Sequence, residues 1–95
     1  STYTLYSSNA PRRFRVFRVD GVMTAAGAAA DTVVVNNASN AITNTVDLST
    51  LADQETFTCA TINDVYWQVN KGGSLNVVTA SAALCTLYIH CLWIA

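Results

Sequence analysis

Apolar and polar residues alternate with a period of two in segment after segment of this chain, a pattern that favours strands over helices. Thr2 to Tyr6 reads as a short strand, since Thr and Tyr suit an extended backbone. Ser7 to Pro11 is a connector, with Pro11 keeping Ala10 out of helical space. Arg12 to Val19 reads as a second strand, yet neither parity is cleanly apolar: Arg13, Arg15, Phe17 and Val19 alternate with Arg12, Phe14, Val16 and Arg18. Such a strand is expected to meet other groups on both sides over part of its length. Asp20-Gly21 is a turn signal and predicts a hairpin into Val22-Met23.

Thr24 to Ala30 has no amphipathic pattern and carries a central Gly27, so a surface loop or a short helical turn is expected. Asp31 to Val35 reads as a strand and Asn36 to Asn40 as a turn. Ala41 to Val46 alternates, with Ile42, Asn44, Val46 and Leu48 on one side, and Asp47 to Gln54 has room for one helical turn capped by Thr50. Thr56 to Thr61 places Phe57 and Cys59 on one face. Asp64 to Asn70 alternates Val65, Trp67 and Val69 with Tyr66, Gln68 and Asn70, as a half-buried strand does. Asn70-Lys71-Gly72-Gly73-Ser74 is the strongest turn signal, and Leu75 to Ser81 completes a predicted hairpin. The last segment sets Cys85, Leu87, Ile89, Cys91 and Trp93 against Leu84, Thr86, Tyr88, His90 and Leu92, apolar at both parities. A strand covered on both faces in a small sandwich implies that one face meets another subunit.

About seven or eight short strands, with turn signals at short intervals, predict an all-β chain: a small antiparallel β-sandwich or barrel. Residues 1–95 form one β domain in this reading, without an internal repeat or a linker. Charged residues are only 12% of the chain while 52% is apolar, so a domain this small exposes neutral and apolar surface. Low charge density favours association, which suits a surface meant to be covered by partners.

No secretory signal or membrane span is expected. The apolar run from Ala82 to Ala95 is fourteen residues and includes Thr86, Tyr88 and His90, short of the roughly 20 apolar residues a spanning helix needs. Ser1 fits trimming of an initiator Met before a small residue, with a longer precursor as the alternative. Cys59, Cys85 and Cys91 make neither a metal pattern nor an even-numbered disulfide framework. In one strand, Cys85 and Cys91 stand ~20 Å apart, far beyond the about 7 Å a disulfide spans. Three buried, reduced thiols in a reducing cytoplasm are expected.

Candidate chemistry is sparse. His90 is the lone histidine, and Cys91 points the other way from it on an alternating strand, so no zinc ligand set is read. Cys59 and His90 could meet across a sheet, but no oxyanion-hole glycines accompany them. Asp53 and Glu55 read as solvated groups beside a turn. Gly72-Gly73 lacks the helix and the Lys-Ser/Thr of a phosphate-binding loop. No catalytic residue, metal or cofactor is assigned.

Interaction content lies in four arginines, Arg12, Arg13, Arg15 and Arg18, within seven positions. Arginine pairs bidentately with carboxylates and phosphates. A nucleic-acid binder is expected to have a pI above about 9, whereas this chain has a sequence pI of 5.5, so an acidic protein surface is the better receiver. The plainer alternative is that the arginines pair internally or guard an edge strand. Trp67 and Trp93 share parity with core residues and read as core or interface anchors, although the aromatic set would also serve glycan stacking.

The chain as a whole resembles the decoration, or cement, proteins of tailed bacteriophage heads. The likeness is one of type: a short, charge-poor β-domain rich in Ala, Thr, Asn and Val, with a basic stretch Arg12-Arg13-Phe14-Arg15 and an aromatic last strand Leu87-Tyr88-Ile89-His90-Cys91-Leu92-Trp93. That resemblance implies a non-enzymatic virion protein, assembled in the host cytoplasm, that docks as a homodimer or homotrimer on the major capsid protein and stabilises the shell. Arg12, Arg13, Arg15, Arg18, Tyr88, His90, Leu92 and Trp93 are the contact candidates, with no membrane as partner and nucleic acid the least favoured receiver. The alternative is a receptor- or glycan-binding β-sandwich of a fibre or tailspike.

Overall fold

The computed structural model describes residues 1–81 and 84–94; the start of the apolar C-terminal run (Ala82, Ala83) and Ala95 lie outside the described residues. Among the described residues nine strands follow in order: β1 (Thr2–Tyr6), β2 (Phe14–Met23), β3 (Thr32–Asn37), β4 (Asn40–Ala41), β5 (Val46–Asp47), β6 (Thr56–Thr58), β7 (Gln68–Val69), β8 (Leu75–Ala80) and β9 (Cys85–Trp93). All pairings are antiparallel. One sheet runs β1-β8-β3, with β4 and β5 sharing the far edge of β3. In the other, β6 and β7 share one edge of β2 and β9 covers the opposite edge along its whole length. The two sheets pack together as a small β-sandwich.

The mixed parity of the arginine strand has a local cause. Phe14 and Val16 are buried at even positions, then Val19, Gly21 and Met23 at odd ones. The switch is a bulge: Val16 pairs with Cys91 and Arg18 with His90, so Phe17 is one residue more than β9 matches. Facing this strand, β3 and β8 contribute Val33, Val35, Leu75 and Val77, and Ile42, Leu48 and Val69 complete the core. Each fully buried side chain of this size contributes roughly 1.5–3 kcal/mol of transfer free energy.

Several local expectations give way to tertiary contacts. Asp20-Gly21 is not a turn but lies within β2, which runs on to Met23; it pairs with Thr58-Phe57 on one side and Tyr88-Leu87 on the other. The Asn70–Ser74 turn does form, with Gly72 at φ +80 and Gly73 N–H donating to Asn70 O at 2.8 Å. It is an arch between sheets and not a hairpin, because β7 pairs with β2 while β8 pairs with β1 and β3. Ala10 clamps it, donating to Gly73 O (3.1 Å) and accepting from Gly72 N–H (2.8 Å).

The strand expected over Asp64–Asn70 shrinks to Gln68–Val69. Asn63 is responsible: its Oδ1 accepts Val65 N–H (2.9 Å) and its carbonyl accepts Tyr66 and Trp67 N–H, folding a turn that leaves Val65 73% exposed. Asp47–Gln54 forms turns and no helix, with Asp47 Oδ1 accepting Ser49 N–H and Glu55 Oε1 accepting Ala52 N–H. Ala41–Val46 is pared to the ends of β4 and β5 around a bridge from Thr43 to Ile62, although Ile42 and Leu48 are buried on one side as read.

That bridge closes one long side of the sandwich. Asn63 N–H donates to Ile42 O (2.6 Å), and Asn37 Nδ2 reaches Tyr66 O and Gln68 O. The opposite side, between β1 and β9, stays open as a cleft of about 320 Å³ lined by Tyr3, Thr24, Val77, Thr79, Leu84, Cys85 and Leu87.

Candidate interaction face

The two groups singled out in the sequence, the arginines and the last strand, are neighbours. Antiparallel pairing sets Phe14 opposite Trp93, Arg15 opposite Leu92, Arg18 opposite His90 and Asp20 opposite Tyr88. Phe14 points into the core, and Trp93 meets it edge-on at 5.5 Å between ring centroids while remaining 48% exposed. Arg15, Arg18, Asp20, Tyr88, His90 and Leu92 face outward. The bulge adds Phe17 to that outer face, 52% exposed and 6.0 Å from the His90 ring. The result is an outward surface of aromatic and aliphatic groups framed by guanidinium groups.

Two arginines rest on indoles. Arg12 Cζ lies 5.4 Å from the Trp93 ring centroid and Arg15 Cζ 5.2 Å from that of Trp67. Such contacts contribute about 0.5–1 kcal/mol at exposed sites, and here they fix where the forks point. Arg15 Nε also donates to Gln68 Oε1 at 3.2 Å. The two tryptophans, expected as core or interface anchors, are thus partly exposed platforms for cations.

Arg18 differs. Its Nε donates to both Asp20 carboxylate oxygens (3.0 and 2.9 Å), Thr58 Oγ1 donates to Oδ1 (2.8 Å), and His90 Nε2 lies 3.1 Å from Oδ2. The Arg18 hydrogen bond, then that of Thr58, hold the Asp20 carboxyl below its ordinary value of 3.8. The internal-pairing alternative therefore describes Arg18, within a small polar network on an otherwise apolar face.

The thiol and the imidazole that could meet across a sheet face different ways. His90 faces outward toward Asp20, whereas Cys59 is buried in the core, and burial pushes the Cys59 thiol up, away from thiolate at neutral pH. All three cysteines are free, but only Cys59 is buried: Cys85 is half-buried and Cys91 exposed, because β9 is an edge strand whose last residues overhang the core. Among the described residues no group of three His, Cys, Asp or Glu side chains is placed to hold a metal.

The arginine cluster was legible in the sequence, but not that Lys71 joins it or that acids gather at the far end. The β7–β8 arch brings Lys71 to Arg12 and Arg13, around a shallow depression of about 400 Å³ that Asn70 and Ile94 also line. Arg15, opposite Gln68, stands at the same end. Asp31, Asp47, Asp53 and Glu55 gather at the other end: Glu55 O accepts Met23 N–H, Asp31 O accepts Leu48 N–H, and Asp47 pairs with Thr32. Ten residues of β2 separate the two ends, about 30 Å of strand.

No protein-family model matches this chain, and no curated protein or solved structure does either. What the face can do is therefore read from its own chemistry. It offers positioned guanidinium forks for carboxylates at one end, and a flat aromatic-aliphatic surface, poor in net charge, along the rest.

Proposed function

We propose that this chain is a non-catalytic docking domain that decorates the outside of a bacteriophage head, binding as a homo-oligomer to an acidic, repeating protein surface and stabilising the shell. One observation carries the reading: the arginine strand and the last strand lie side by side, so that Arg15, Arg18, Phe17, Tyr88, His90 and Leu92 share one exposed face, with Arg12 held on Trp93 and Arg15 on Trp67 at its basic end. Positioned forks lose little side-chain entropy on meeting carboxylates, and repeated weak contacts over a lattice sum to strong attachment.

Co-sedimentation with purified empty shells tests it. The wild-type chain is expected to pellet with shells, and the Arg12→Ala/Arg15→Ala double variant to lose that binding by roughly tenfold or more with its fold intact by circular dichroism. No binding of the wild type to shells, or equal binding by the double variant, overturns the reading. The exposed Tyr88 and Trp93 side chains favour the glycan-binding alternative; specific retention on a glycan array without shell binding would put it first.

A further inference from the structure

The free edge of β9 is unusual for a small sandwich. Ile94 N–H donates to Arg13 O (2.9 Å) and Leu84 O accepts Thr24 N–H (3.1 Å), so the even-numbered residues of this strand bond to β2. By the alternation of an antiparallel ladder, the N–H and C=O groups of Cys85, Leu87, Ile89, Cys91 and Trp93 point the other way. Among the described residues they meet no backbone partner; a 3.9 Å contact from Cys91 Sγ to Ile89 O is all that reaches them.

Edges are normally blunted by shortness, charge, proline or a bulge. β9 has none of these: it is nine residues long, holds no Lys, Arg, Asp, Glu or Pro, and the bulge of this pair lies in β2. The other edges are protected. β1 has five residues and an irregularity between Thr4 and Tyr6, and β4, β5, β6 and β7 have two or three residues each.

We infer that the β9 edge pairs antiparallel with β9 of a second copy of this chain, joining the two β2 sheets into one continuous sheet. The charge distribution selects this occupant and this direction. Trp93 marks the basic end, with Arg12, Arg13, Arg15 and Lys71; Cys85 marks the acidic end, with Asp47, Asp53 and Glu55 exposed. Antiparallel pairing sets the basic end of each copy beside the acidic end of the other, whereas parallel pairing would align like with like. The edge itself holds no Lys, Arg, Asp or Glu to repel its own copy.

Full overlap centres on Ile89. Cys85 of one copy then faces Trp93 of the other, Leu87 faces Cys91, and Ile89 faces its own counterpart; all are pairs of the hydrogen-bonded kind, supplying about ten new backbone bonds. On the outer face Tyr88 comes beside His90 of the other copy, and the two arginine-aromatic faces stand in one plane about a two-fold axis. The use of that doubled face in docking rests on the proposed function; the pairing does not.

Sedimentation velocity on the purified chain under reducing conditions, from micromolar to submillimolar concentration, is the test. The wild type and Cys91→Ser are expected to be dimers. Cys91→Pro removes an outward N–H and the Sγ contact to Ile89 O that Cys91→Ser controls for, and spares every bond to β2, so it is expected to be a monomer with an unchanged circular dichroism spectrum. A wild type that stays monomeric, or a folded Cys91→Pro that still dimerises, overturns the inference. Amide exchange in the wild type gives a readout that needs no variant. The Leu87, Ile89 and Cys91 amides should gain protection as concentration rises, and free exchange at all concentrations overturns the pairing. Raising salt to several times physiological strength should weaken the dimer several-fold; indifference to salt overturns the antiparallel alignment. Because no shell is present, a dimer that fails to bind shells sinks the docking reading alone.

Discussion

A methyl group at Gly21 would overlap the Phe57 ring, and one at Gly27 would overlap the Leu48 carbonyl. The difference is whether the neighbour can give way. Phe57 is half-buried and can swing outward, so Gly21→Ala should cost about 1–3 kcal/mol, the range of ordinary overpacking. Leu48 O belongs to a backbone held by Asp31, so Gly27→Ala should cost more than Gly21→Ala. Urea denaturation of both variants checks the order, and Phe57→Ala should relieve part of the Gly21→Ala penalty in the double variant. Asp20 sets a pH dependence of known sign. Its carboxyl is held below 3.8 in the folded chain, mainly by Arg18, so it binds protons less readily folded than unfolded. Its stabilising effect is present above that value and is lost as pH falls through the lower folded one. Asp20→Asn should therefore flatten the fall of the urea midpoint below about pH 4, with a modest slope because the group is solvated.

β2 shows how one residue re-aims a whole element. Without Phe17, the sequence Phe14-Arg15-Val16-Arg18-Val19-Asp20-Gly21-Val22-Met23 would alternate in strict period, every buried residue on one parity. The bulge is thus an insertion into an otherwise regular strand, and its product is an exposed aromatic ring beside His90. Bulges of this kind commonly re-aim side chains at functional surfaces. Removal of Phe17 should leave the fold in place, with stability within about 1 kcal/mol of the parent as expected for a change outside the core, while shell binding falls. A chain that no longer folds without Phe17 would show the bulge to be structural. Period-two reading could not resolve this strand, since a bulge converts one clean pattern into two half-patterns.

At the scale of the whole molecule, what stands out is the distribution of charge along a body with principal extents of 40 × 21 × 19 Å. A net charge of −1 conceals a basic end and an acidic end. Lys71 is remote from the arginines in sequence and joins them only because the arch crosses between sheets. Lys71→Glu should accordingly weaken shell binding about as much as Arg12→Ala, and more at low than at high ionic strength. Co-sedimentation at two salt concentrations checks this; equal binding by Lys71→Glu would remove Lys71 from the docking end.

Alternation by itself determined that this chain is built of antiparallel strands. It located β1 residue for residue, the cores of β2, β3, β8 and β9, and the turn at Gly72-Gly73, because local backbone preference and one-sided burial are written within each segment. The contact candidates were legible as residue types for the same reason. Tertiary structure decided what depends on pairing between distant segments. It turned the Asn70–Ser74 hairpin into an arch and ran a strand straight through Asp20-Gly21 to Met23. It reduced Asp64–Asn70 to a turn plus two strand residues, where Asn63 side-chain and carbonyl bonds outcompeted the ladder. It also decided which strand was left at an edge. An edge is defined by the absence of a neighbour, a property of the sheet and not of the strand, and so β9 shows apolar residues at both parities in sequence but an open ladder only in three dimensions.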